Sequence, residues 1–173
     1  MANKQARGVA LGGMLTALSL VLLVLAGVLP MMQLVFPAVA GLLLVVVVLE
    51  LHIKWAWGIF AAVTLLGLLL CPDKSVVVYY VFFFGHYPLL KNYIERLRSR
   101  AVQWLVKIPL FNACIILAYL AIAKLFGVPE DLLRYGYPFA LALANAAFIL
   151  YDIALSRLIV TYIYRVRKLL HRK

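Results

Sequence analysis

Long apolar runs alternate with short basic clusters along this chain, and the runs have the lengths that a lipid bilayer demands. Six of them stand out, at about 9–29, 36–51, 55–70, 75–90, 108–126 and 137–163. Crossing about 30 Å of hydrocarbon takes roughly 20 apolar residues in a helix. A helix also satisfies its own backbone groups in lipid, which a lone strand cannot. That argument overrides local preference in 75–90, which opens on the β-branched and aromatic string VVVYYVFFF. The pattern therefore predicts an all-α membrane protein, a six-helix transmembrane bundle forming a single integral membrane domain over 1–173.

The breaks between runs are short. Pro30 ends the first, and the MMQLVF that follows has Gln33 as its one polar side chain. LHIK is all that separates the second run from the third. Cys71-Pro72-Asp73-Lys74 reads as a turn in which Asp73 starts the next helix. The segment 91–107 is the longest break and the most basic, with Lys91, Arg96, Arg98, Arg100 and Lys107 against one Glu95. Tyr93, Ile94, Leu97, Ala101, Trp104 and Leu105 recur there at roughly helical spacing, which predicts a short amphipathic helix at the lipid surface.

Composition narrows the class. The chain is 67% hydrophobic and 13% charged, with a mean hydropathy of +1.06, far too apolar for a soluble fold of 173 residues. The net charge of +11 sits in clusters between apolar runs, not on one soluble face, which excludes nucleic acid as the expected partner. Thirteen of the 17 Lys and Arg residues fall on one side of the six predicted spans. Three, Lys74, Lys124 and Arg134, fall on the other, and Arg157 lies inside the last span. The positive-inside rule then puts both termini in the cytoplasm. The first run reads as a retained span, without the small-residue cleavage site of a signal peptide.

No HExxH, Walker A or glycine-rich dinucleotide motif occurs, and His52, His86 and His171 are scattered, so neither enzyme chemistry nor a metal or cofactor is expected. Cys71 and Cys114 read as packed thiols. The informative polar residues lie in the last span. An acid at mid-depth is expensive unless paired or solvated, and Asp152 is such an acid. With Asn145 and Tyr151 it could form a wall of a substrate pocket. It could equally lock its helix through a buried ion pair drawn from Asp152, Arg157 and Glu50. Glu50 reads either as a buried acid or as a wetted helix end paired with Lys54. Toward the outer side, Gln33, Tyr79, Tyr80, Tyr135 and Tyr137 could line a pocket for a small organic ligand, or serve as packing and belt residues. Ala10, Gly13 and Ala17 share one face of the first helix, and small residues let another helix approach closely, from within the bundle or from a separate subunit.

The whole chain resembles a substrate-binding (S) component of an energy-coupling factor (ECF) transporter, the vitamin-uptake class. Its length, six spans, cytoplasmic termini and opening RGVALGGMLTALSLVL carry the resemblance. The resemblance implies a multi-pass protein of a bacterial cell membrane, without enzymatic activity, that captures a small organic micronutrient. It implies a transmembrane coupling subunit docked on Ala10, Gly13 and Ala17, and two ATP-hydrolysing subunits. It implies a pocket near the outer face, about the MMQLVF loop, Tyr79, Tyr80 and the outer half of the last span. Two other functions fit the same sequence: a membrane scaffold without transport, and a small ion-coupled carrier using Asp152.

Overall fold

The computed structural model describes residues 2–97, 99–126 and 137–167. Among these every regular element is helical and no strand occurs. The chain divides into two compact units, residues 1–127 and 128–173.

The first unit is built on α1 (Ala2–Val28), α2 (Val35–Leu51) and α3 (Ile53–Leu70). In α1 the buried positions Gly8, Gly12, Leu15, Ser19, Leu23 and Ala26 recur every three or four residues, one stripe of a helix. Gly8 packs beside Leu51 and Trp55, Gly12 beside Ile59, and Leu23 beside Gly67. These pairings run in step, so α1 and α3 are parallel and α2 returns between them. Leu23, Ala40, Leu44, Val47, Val63, Val76, Val77 and Leu89 form the centre of the core. Burying one large aliphatic side chain of this kind is worth about 1.5–3 kcal/mol.

A single residue joins α2 to α3. His52 takes φ 89° and ψ 155°, a conformation that ordinarily falls to glycine. Its carbonyl accepts the backbone N–H of Trp55 at 3.1 Å and anchors the first turn of α3.

The stretch 75–90, expected as one helix, is helical but in pieces. α4 (Lys74–Tyr79) passes into a π-helical turn over Tyr80–Phe84, and α5 (Tyr87–Ile94) follows. The Gly85 N–H reaches back five residues to the Tyr80 carbonyl at 2.7 Å. Two features of the sequence force the break. Pro88 has no N–H and is best placed in the first turn of a helix, where it is found. At Gly85 a Cβ would come within 2.6 Å of the Phe60 ring and 2.9 Å of the Tyr80 ring, so the chain can pass there only as glycine. Asp73 does start α4 as expected, accepting the Ser75 N–H at 2.9 Å.

The break expected over 91–107 is also shorter. α5 continues to Ile94, and α6 (Arg100–Phe126) is already helical from Arg100, well before the predicted start at 108. Gln103 closes the turn between them by donating to the Leu97 carbonyl at 2.9 Å. The second unit contains α7 (Tyr137–Thr161), which ends in a π-helical turn over Tyr162–Arg167. The predicted outer loop 127–136 and the basic tail 168–173 lie outside the described residues.

Among the described residues, four helical segments are long and apolar enough to cross a membrane: Gly8–Val28, Ile53–Leu70, Arg100–Ile122 and Leu141–Tyr164. α2 is apolar up to Glu50 near its end but has 17 residues, about 26 Å at 1.5 Å per residue. The chain has the character of a helical membrane protein.

Candidate functional site

The small residues of α1 fall on two faces. Gly8 and Gly12 point inward and bring α2 and α3 close. Ala10, Gly13 and Ala17 are all exposed, and a Cβ added at Gly13 would meet nothing within 4 Å. Beside that second face lies an open groove of about 450 Å³ between α1 and α3. Val9, Gly12, Gly13 and Thr16 form one wall; Lys54, Trp55, Gly58, Ile59 and Ala62 form the other. Gly58, like Gly13, has open space where a Cβ would stand. The Thr16 hydroxyl donates to the Gly12 carbonyl at 2.8 Å, so its proton is spent within α1. Lys54 is exposed and makes no ion pair among the described residues, so the expected pairing with Glu50 does not form.

A second polar cluster ties the turns at the far end of α1 and α3. Gln33 Nε2 donates to Asp73 Oδ2 at 2.9 Å, while Asp73 Oδ1 caps α4. Lys74 Nζ donates to the Leu68 carbonyl and, at 2.8 Å, to that of Cys71. The Cys71 thiol lies 3.2 Å from the Leu23 and Asp73 carbonyls, and its burial pushes the thiol pKa up. Both Asp73 oxygens and the Gln33 amide are thus engaged inside the protein. The cluster closes a turn and leaves few polar groups turned outward.

The third cluster was not legible as a site in the sequence. Lys91 and Lys107, which the sequence places in the basic segment at the lipid surface, are buried. Both ammonium groups converge on one oxygen of Glu95, at 2.7 Å and 3.3 Å. Trp104 lies under the Lys107 ammonium at 5.4 Å from the ring centroid. The i, i+4 spacing of Lys91 and Glu95 was the available signal for the first contact. Nothing in sequence brings Lys107 to the same oxygen; the turn into α6 does.

No nucleophile–base pair was expected, yet His86 and Cys114 meet. His86 Nδ1 donates to the Val81 carbonyl at 2.8 Å, which leaves Nε2 to accept from the Cys114 thiol at 3.5 Å. The pair is enclosed, with Cys114 buried, and adjoins an aromatic cluster in which Phe83 packs on Tyr87 and Phe111. Among the described residues no group of three or more His, Cys, Asp or Glu could hold a metal ion.

No family model, curated protein or solved structure matches the chain. The functional reading therefore rests on this protein's own residues.

The candidate pocket residues do not converge within the first unit. Gln33 is bonded to Asp73, Tyr79 is half-buried, and Tyr80 is fully buried against Phe60 with its hydroxyl unpartnered. Tyr135 and the Tyr137 side chain fall outside the described residues. In α7 the Asn145 amide donates to the Leu141 carbonyl at 2.8 Å, and Ser156 donates to the Asp152 carbonyl at 3.0 Å. Tyr151 and Asp152 both have interaction partners. Arg157 is exposed and forms no ion pair with Asp152, so that predicted pair is absent. Five residues apart on one helix, the two side chains leave on different faces.

Proposed function

We propose that this chain is the substrate-capture subunit of a membrane uptake system of the energy-coupling type. It spans the membrane six times, with both termini in the cytoplasm. It takes up a small organic micronutrient and works with a separate transmembrane coupling subunit and separate ATPases. The observation that carries the reading is the open small-residue face of α1. Ala10, Gly13 and Ala17 are exposed together on a bilayer-length helix, which suits close approach by another helix. The test is copurification from native membranes. Coupling and ATPase subunits should accompany the wild-type chain and be lost from Gly13→Leu/Ala17→Leu, while the variant keeps its helical content. Absence of those subunits from the wild-type preparation sinks the proposal.

One observation favours a membrane scaffold without transport. Gln33 is tied to Asp73 and Tyr80 belongs to the core, so neither is turned toward an open pocket. Unbiased mass spectrometry of small molecules released from the purified protein separates the two readings. A stoichiometric organic ligand supports capture; repeated recovery of none supports the scaffold.

A further inference from the structure

We infer that the groove between α1 and α3 holds one anionic phospholipid, with its phosphate at Lys54 and an acyl chain along Gly12, Gly13, Gly58 and Ala62. The inference rests on the lining of the groove and on Lys54, and takes from the uptake reading only the orientation in the membrane, so lipid retention can succeed or fail whether or not coupling subunits copurify.

The groove has the polarity of an amphiphile. Apart from Thr16 and Trp55 its walls are hydrocarbon and glycine backbone, and among the described residues its one charged group is Lys54, at the start of α3. The one hydroxyl in the walls among the described residues, that of Thr16, is turned back on its own helix and offers no proton to a docking partner. Lys54 lacks a carboxylate partner among the described residues, so its charge is available to a ligand. Trp55, 42% exposed beside it, has an apolar ring and an N–H donor, the combination that settles at headgroup level. Gly58 and Gly13 leave space that side chains would fill, so the channel continues past the cation toward Ala62. A zwitterionic lipid would fit the hydrocarbon part equally well. The unpaired ammonium distinguishes an anionic headgroup. In the proposed orientation Lys54 lies at the cytoplasmic leaflet, where anionic lipids concentrate.

Native mass spectrometry of the full chain in detergent tests this, with phosphatidylglycerol and phosphatidylcholine of identical chains added in equal amounts. One phosphatidylglycerol should be retained about fivefold over phosphatidylcholine, the worth of one Lys at an anionic surface. Lys54→Gln should bring that ratio close to one, while Arg157→Gln, an exposed cation in α7, should leave it unchanged. Gly58→Phe should remove the bound lipid of either kind, with circular dichroism confirming that the helices persist. Ala62→Leu provides a milder block with the same expected direction. Equal retention by the wild type, a ratio indifferent to Lys54→Gln, or lipid surviving both blocking variants overturns the inference. Release of the lipid by excess inorganic phosphate also overturns it, because the acyl chain would then contribute nothing. So does a Gly13→Cys disulfide dimer that added phosphatidylglycerol fails to suppress, which would make a second copy the occupant.

Discussion

At the scale of single residues, three positions carry more than their side-chain type conveys. His52 holds a backbone conformation that L-residues rarely adopt, and such strain costs on the order of 1–3 kcal/mol. His52→Gly should therefore raise stability by about 1 kcal/mol in denaturant unfolding followed by circular dichroism, part of the relief being offset by glycine's extra freedom in the unfolded chain. Tyr80 buries a hydroxyl that finds no partner. Removing that group in Tyr80→Phe should be neutral or stabilising by about 1 kcal/mol, since an unmet buried polar group is a penalty and not a bond. If Tyr80 instead held a ligand, the same variant would lose binding while its stability stayed unchanged, so the two measurements together decide its role. Cys71 ionises at higher pH in the folded protein than in the unfolded chain because burial disfavours the thiolate. Its contribution to stability is thus fully present below the unfolded pKa and lost as pH rises through the folded one. With Cys114 replaced by Ser, maleimide labelling of Cys71 at pH 8 should be at least about tenfold slower in the folded protein than in the denatured one.

At the scale of elements, the apolar runs announced helices, but not how regular they are. The π-helical turn at Tyr80–Phe84 could not be read in advance, because it answers the crowding of Gly85 against Phe60, a contact between distant segments. α2 is apolar on every side up to Glu50, so its sequence has no phase to say which face packs. In α1 the small residues serve two faces: Ala10, Gly13 and Ala17, the ones that drew attention in the sequence, are exposed, whereas Gly8 and Gly12 make the internal contacts. The basic stretch 91–107 read as a short amphipathic helix at the lipid surface, and Lys and Arg are seldom buried. Glu95 is what changes the outcome for Lys91 and Lys107, by meeting both ammonium groups with one oxygen. Glu95→Gln keeps the shape but removes the charge between two buried cations. It should destabilise the α5–α6 turn by about 1–3 kcal/mol, less than a fully enclosed pair because Glu95 is itself 36% exposed. Hydrogen exchange across 87–107 is the measurement, with faster exchange expected there and little change in α1.

At the scale of the whole molecule, membrane character was legible from composition and run length, since few polar residues can be distributed in few ways. What a site does was far less legible: polar residues such as Gln33 and Asn145 turn out to spend hydrogen bonds on the protein's own backbone and turns. The single-residue link at His52 bears on how the chain reaches its membrane at all. α2 is marginal in length as a lone span, and it reverses into α3 with no room for a separate pause between them. Biogenesis then treats the two as one hairpin, whose combined apolar surface drives partition that α2 would fail to complete by itself. Nascent chains translated into microsomes and truncated after Leu51 should leave α2 accessible to protease, whereas truncation after Leu70 should protect both helices. Protection already complete at Leu51 would mean that the helices insert one after the other. The residue that strains the backbone is, on this view, the one that makes insertion a joint event.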